Sequence, residues 1–181
     1  MAVDFSGIAR WPNVPACYEW LSLDRRGGWR LQGAPVTHHG LLAFINRQYG
    51  HDEAGRWFVQ NGPQRVFVDL AYTPWVFRRE GGALVAHTGE PAGDIAGQWL
   101  DDGGSLVLQT ALGVGVLDDR DLAGFLAGCT MADGHPADDA ALLALMAGDD
   151  RRAVFHDGRP LRLIAAVDVA KRFAFEPRPR P

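Results

Sequence analysis

Apolar residues recur along this chain in short alternating runs separated by glycine- and aspartate-rich turns, the period-two pattern of half-buried strands. Cys17–Leu23 and Gly28–Leu31 are two such runs around Asp24-Arg-Arg-Gly-Gly28, a hairpin loop with glycine where a positive φ is needed. The spacing then changes. Thr37 stands as an N-cap before Leu41, Phe44, Ile45 and Tyr49 on one helical face, with Gly50 placed to end the helix.

A strand-rich middle follows. Arg56–Gln60 and Gln64–Leu70 are joined by Asn61-Gly-Pro63, and Val66, Val68 and Leu70 alternate with Phe67 and Asp69. Trp75–Arg79 and Ala83–Thr88 flank a second hairpin turn at Glu80-Gly-Gly82.

The second half restarts this pattern. Trp99-Leu-Asp-Asp-Gly-Gly-Ser-Leu-Val-Leu-Gln109 aligns with Trp20–Gln32 when gaps are allowed. Asp118 or Asp119 then caps a helix carrying Leu122, Phe125, Leu126 and Cys129. Asp138–Ala147 reads as a short helix with Leu142, Leu143 and Met146 inward and Gly148 as its stop, and Phe155–Leu161 forms a third, partial echo.

The predicted fold is α+β, mostly antiparallel sheet built from repeated strand-turn-strand-helix units. The organisation expected is an irregular arm over 1–16 and a first sub-domain with a strand-rich extension over 17–96. A second sub-domain over 97–175 shares its core, and a disordered tail follows over 176–181, where alternate prolines lack an N–H. Trp20, Leu41, Phe44, Val66, Val68, Trp99, Leu122 and Phe125 are the predicted core.

The run Gly28-Trp-Arg-Leu-Gln-Gly33-Ala-Pro-Val36, the helix with Leu41, Asp52-Glu-Ala-Gly-Arg-Trp-Phe58 and Tyr72-Thr-Pro-Trp75 together resemble an uncharacterised bacterial family. That family is catalogued only as a domain of unknown function. The resemblance covers residues 17–89, and 97–175 more loosely. It implies an α+β fold with repeated β-β-α motifs and a conjectural role in signalling or regulation. It carries over no catalytic residues.

Composition narrows the function classes. With 181 residues, 47% of them hydrophobic, the chain can bury a core without disulfides or metal. The net charge is −4 and Lys171 is the only lysine, a poor balance for generic binding of nucleic acid or an anionic membrane. No signal peptide or membrane-length apolar run is visible, so cytoplasm is the expected location.

Chemistry-bearing motifs are sparse. His38 and His39 are neighbours and lie about 100° apart on a helix, an unfavourable geometry for one metal. His135 with Asp133, Asp138 and Asp139 reads as a solvated loop with a cap, and Asp118–Asp121 as capping. Cys17 and Cys129 fit no zinc spacing, and Ser6, Ser22 and Ser105 lie in no nucleophile elbow. The arginine pairs Arg25-Arg26, Arg78-Arg79 and Arg151-Arg152 read as solubilising turn residues. The expectation is no metal, no cofactor and no catalytic set.

Gln60, Asn61, Gln64, Arg65, Tyr72 and Trp75 mix amides, a cation and aromatics, as recognition surfaces do, and form the predicted binding site. The leading expectation is a non-enzymatic regulatory module for a protein or small ligand. The alternative is a hydrolase whose His and Asp residues, His39 and His87 among them, are assembled by the fold.

Overall fold

The structure is a computed structural model that describes residues 12–149 and 153–181. The arm expected over 1–16 and the pair Arg151-Arg152 thus fall largely or wholly outside the described residues. The chain divides into two compact units, one of residues 1–74 with 173–181 and the other of residues 75–172. The division falls earlier than residue 96, because the strand at Trp75 pairs into the second sheet.

The first unit holds β1 (Ala16–Leu23), β2 (Trp29–Leu31), β3 (Ala34–Pro35), α1 (His39–Gln48), β4 (Tyr49–His51), β5 (Trp57–Asn61) and β6 (Gln64–Leu70). Its sheet runs β3-β2-β1-β6-β5-β4. β1 and β6 are parallel and the other pairs antiparallel. Side chains alternate across a sheet, so Val59, Val66 and Val68, all fully buried, share the inner face with Leu21 and Leu23. Helix α1 packs against β5 and contributes Leu41 and Ile45. Trp29 and Trp57 sit 5.0 and 4.8 Å from Tyr49 between their ring centroids, and the Trp29 indole N–H donates to Asn46 at 2.7 Å.

The second unit holds β7 (Trp75–Glu80), β8 (Ala83–Ala86), β9 (Ile95–Asp101), β10 (Leu106–Thr110), β11 (Val114–Leu117), α2 (Asp119–Leu126), β12 (Cys129–Met131), α3 (Asp139–Met146), β13 (Val154–His156) and β14 (Arg159–Ile164), then a 3-10 turn at Ala166–Asp168 and α4 (Val169–Arg172). Its sheet runs β12-β13-β14-β9-β10-β11-β7-β8. β14 is parallel to β9 and β7 to β11. Both sheets are therefore mixed rather than purely antiparallel.

One local device recurs. In Asp24–Gly28, Asp52–Arg56 and Asp101–Ser105 the first N–H donates to the fifth carbonyl, and the fourth residue, a glycine, donates back to the first carbonyl. The aspartate Oδ1 accepts the third and fifth backbone N–H groups at 2.7–3.1 Å. The carboxylate thus satisfies donors the turn would otherwise leave unpaired.

Several expectations are corrected. His38, not Thr37, caps α1, its Nδ1 accepting the Leu41 N–H at 3.2 Å. Tyr49 and Cys129 begin strands after their helices instead of extending the helical faces. On α3 the buried stripe is Ala141 and Leu145, an i, i+4 pair, while Leu143 and Met146 are exposed and Leu142 is half-buried. Leu41, Val66, Val68, Trp99 and Phe125 are buried, but Trp20, Phe44 and Leu122 only partly.

Residues 176–181 are placed along the first unit rather than being a disordered tail. Glu176 N–H donates to the Gly55 carbonyl at 2.9 Å, and Leu70 N–H to the Pro177 carbonyl at 2.8 Å. Lacking N–H groups, the prolines accept instead of donating, so the segment needs no ladder of its own.

Candidate interaction face

The outward face of the first sheet is aromatic where an exposed sheet face would ordinarily be polar. Phe58 and Phe67 are register partners on β5 and β6, with ring centroids 5.8 Å apart at 65°. Tyr18 of β1 stacks flat on Phe67 at 4.7 Å and 4°. It reaches that position through a bulge, because Tyr18–Trp20 of β1 oppose the single residue Phe67 between the pairs Cys17↔Val66 and Leu21↔Val68.

Two arginines cover the rings. The Arg65 guanidinium lies 4.6 Å from the Phe58 centroid, and that of Arg56 5.1 Å from Phe67. Phe67 is buried beneath these neighbours, while Tyr18 and Phe58 stay half-exposed. Such cation–ring contacts contribute about 0.5–1 kcal/mol at exposed sites. Arg56 is also gripped by Asp52, whose Oδ2 accepts from Nε at 2.9 Å. Desolvation pushes the Asp52 carboxyl up, but the Arg56 hydrogen bonds outweigh it and hold the group below its ordinary range. Arg65 is exposed.

The far end of the same face is acidic. Asp69, two residues beyond Phe67, accepts from the Arg180 guanidinium at 2.8 and 3.2 Å, and Glu19 in the bulge lies 3.4 Å from Arg180 Nε. The face therefore runs from arginine through three rings to a pair of carboxylates.

The predicted site residues are divided by this geometry. Gln60 and Arg65 are register partners and lie together on the outward face. The Gln60 amide donates to the Gly62 carbonyl at 2.7 Å and the Gln64 carbonyl at 3.2 Å. Asn61 and Gln64 pair on the opposite face, where Asn61 donates to Gln64 Oε1 at 3.3 Å. Gln64 is buried and donates to the Pro12 and Val14 carbonyls, each at 2.6 Å. Tyr72 lies under Arg25, 4.2 Å from its guanidinium. Trp75 belongs to β7 in the second unit, where it is buried 5.6 Å from the His87 ring.

Sequence reasoning missed the aromatic members of this face, the arginine over Phe67, and the carboxylates Asp69 and Glu19. Tyr18, Phe58 and Phe67 read as ordinary strand residues, and Arg56 as the start of a strand after a turn. The available signal was Phe67 in the polar phase of β6, between Arg65 and Asp69.

The two thiols and His156 are buried in packing. Burial raises the Cys17 thiol above its ordinary value and pushes that of Cys129 up to about 11, so neither favours a thiolate at neutral pH. His156 is buried, stacked on Phe125 at 3.7 Å, and faces Cys129 across the β12–β13 pair. His87 Nδ1 lies 3.3 Å from the Val76 N–H. Among the described residues, no three His, Cys, Asp or Glu side chains converge to hold a metal ion, and no helix is long and apolar enough to cross a membrane.

A protein-family model named DUF2944 and described as "Protein of unknown function (DUF2946)" matches residues 2–180. The chain belongs to the DUF2944 family. This DUF2944 protein is similar in fold to a DUF1285 family protein from Silicibacter pomeroyi DSS-3, with a TM-score of 0.53 and 12% identity over 91% of this chain and 90% of that one. A DUF1285 family protein from Shewanella baltica OS155 matches with a TM-score of 0.46 and 14% identity over 59% of this chain and 90% of that one. No curated protein matches the DUF2944 chain.

Proposed function

We propose that this DUF2944 protein is a non-enzymatic regulatory interaction module of the bacterial cytoplasm, docking a polypeptide ligand on the outward face of β1, β6 and β5. The observation that carries the reading is the run of Tyr18, Phe67 and Phe58 with Arg65 exposed at its end. Flat rings supply contact area at little entropic cost, and an arginine already stacked on a ring is pre-positioned to pair with a carboxylate or backbone carbonyl. Aromatic and arginine side chains are those that dominate binding energy at interfaces.

Two further features support it. The two free, buried cysteines accord with a reducing compartment. The sheet orders support reading the two units as copies of one motif. Each contains three strands, a helix and three strands, with α3 inserted in the second, and the first and last of those strands are parallel neighbours. A repeat of this kind leaves one copy free to diverge into a binding surface. The hydrolase alternative has less behind it, since His39 is exposed at the start of α1 in the first unit while His87 belongs to the second, its Nδ1 against the Val76 N–H.

The test is selection of peptides from a random displayed library on the full chain, followed by affinity measurement against variants. Selected peptides are expected to bind Arg65→Glu at least tenfold more weakly, and Arg78→Glu, on an exposed strand end of the other unit, unchanged. Equal binding to wild type and Arg65→Glu would overturn the assignment of this face.

A further inference from the structure

The acidic end of the face is already occupied by the chain itself. Residues Glu176-Pro-Arg-Pro-Arg-Pro181 carry three prolines alternating with arginines, a composition that favours the extended polyproline conformation. Their backbone is engaged at two points, the Gly55 carbonyl and the Leu70 N–H. Pro179 is buried, whereas Arg178 and Arg180 are exposed. Arg180 then reaches both Asp69 oxygens and Glu19.

A simple staple does not require that last arrangement. Glu19 is held at φ +63, a left-handed conformation unfavourable for a non-glycine residue. The bulge that carries this conformation sets the Glu19 carboxylate within reach of the same Arg180 guanidinium that Asp69 holds. Two carboxylates near one another repel unless a cation bridges them, and a planar guanidinium meets Asp69 through two parallel N–H donors. A carboxylate pair holding the arginine of a proline-alternating segment, on a face that also carries aromatic rings, has the elements by which proline-rich segments are recognised.

We propose that Asp69 and Glu19 form an arginine-reading carboxylate pair on this face for a proline-flanked arginine segment of a partner protein, and that residues 176–181 are its resident competitor. This rests on the reading of the face as a docking surface and names its ligand class and its regulation. A tethered competitor acts at millimolar effective concentration, so a partner segment binds weakly until the resident one is displaced. Electrostatic complementarity sets the occupant. The carboxylate pair is anionic, and the other end of the face, at Arg65, would meet an acidic or carbonyl-rich portion of the same partner.

The experiment uses the full chain and a fluorescein-labelled peptide, Glu-Pro-Arg-Pro-Arg-Pro, read by fluorescence anisotropy. Arg180→Ala removes the resident cation at an exposed position and is expected to bind the peptide at least tenfold more tightly than wild type. Adding Asp69→Asn, or replacing the second arginine of the peptide by alanine, should abolish that gain, and adding Glu19→Gln should reduce it. Absence of peptide binding to a folded Arg180→Ala protein would overturn the proposal, as would binding indifferent to Asp69→Asn. A concentration-dependent dimer of the Arg180→Ala protein by sedimentation, without peptide binding, would overturn the partner assignment in favour of exchange between copies. Loss of peptide exchange while library peptides still depend on Arg65 sinks this inference alone. Exchange intact while library peptides ignore Arg65 sinks the broader reading of the face alone.

Discussion

The two units have the same order of strands around a parallel pair and differ in how that pair is built. In each, a parallel pair joins the first strand of the series to the last, β1 to β6 and β9 to β14, and a capped helix follows the third strand. The β9–β14 register runs without interruption, whereas β1–β6 contains the bulge that brings Tyr18 and Glu19 to the outward face. The cores differ too. The first unit buries Trp29 and Trp57 around Tyr49, with Gln64 and Thr73 as its buried polar residues among those described. The second buries Gln98, Asp101, Thr110, Asp118 and His156. The same strand order therefore accommodates a distorted central pair or a regular one, and in both units the buried polar residues sit within a largely apolar core.

Matched turns give the largest expected contrast. Gly55 and Gly104 occupy the same place in the same five-residue turn, at φ +74 and +81. A methyl at Gly55 would overlap the Ala174 carbonyl and crowd the Phe175 Cα, whereas at Gly104 the nearest atom is the Met146 methyl, 3.8 Å away. Both Gly→Ala changes carry the left-handed penalty of about 1–2 kcal/mol, and Gly55→Ala adds about 1–3 kcal/mol of overpacking against backbone. Urea unfolding of the two variants should rank them so. Equal losses would mean that residues 173–181 are not packed on the first unit.

The buried glutamines come next. Gln98 and Gln64 each donate their amide to two carbonyls, Gln98 to His156 and Arg159 at 3.1 and 2.7 Å. Gln98 is fully buried and bridges the two strands of the β13–β14 hairpin at its turn, so Gln98→Ala strands the buried His156 carbonyl and frees the part-buried one of Arg159. The cost expected is about 2–3 kcal/mol. Gln64→Ala should cost about 1 kcal/mol, because the Pro12 and Val14 carbonyls it releases lie in a half-buried to exposed segment that water reaches. Denaturation midpoints check the order.

These contrasts bear on how much was legible beforehand. Asp24-x-x-Gly and Asp101-x-x-Gly stated their turns outright, because an aspartate accepting two backbone N–H groups and a left-handed glycine are local requirements. Phe44 and Leu122 read as core for their spacing alone, and only tertiary packing left them half-exposed. The site was less legible for a geometric reason. Residues adjacent in sequence on a strand point to opposite faces, so Asn61 and Gln64 parted from Gln60 and Arg65 although all four lie within six positions. The bulge at Tyr18–Trp20 and the docking of residues 176–181 depend on contacts distant in the chain, which no local pattern records.

Acid should separate the units by a smaller margin. Desolvation lowers the His156 pKa, with Arg79 adding to the effect and Asp157 opposing it. A histidine depressed in the folded state is protonated first in the unfolded chain, so stability falls as pH drops below the unfolded value near 6.5 and continues to fall until the folded pKa is passed. Above that window the contribution is fully present. His156→Leu should flatten the stability profile between about pH 6.5 and the folded value while leaving the more acidic part intact. That part includes Asp118, which the Arg120 side chain holds at about 2, so its contribution is lost only as pH falls from the ordinary aspartate range toward that value. A His156→Leu profile that stays parallel to wild type would remove His156 as the source of the difference.

The smallest effect concerns the bulge itself. Glu19→Ala and Glu19→Gly both delete the carboxylate beside Arg180, an exposed contact contributing at most about 1 kcal/mol, so the difference between the two variants isolates the backbone. Alanine keeps the left-handed penalty of about 1–2 kcal/mol, and glycine removes it while adding about 0.4–1 kcal/mol of unfolded-state entropy. Glu19→Gly should therefore be about 0.8 kcal/mol more stable than Glu19→Ala in the same urea titration. The opposite order would show that the bulge stores no strain, and that the Glu19 carboxylate reaches Arg180 without a backbone held for it.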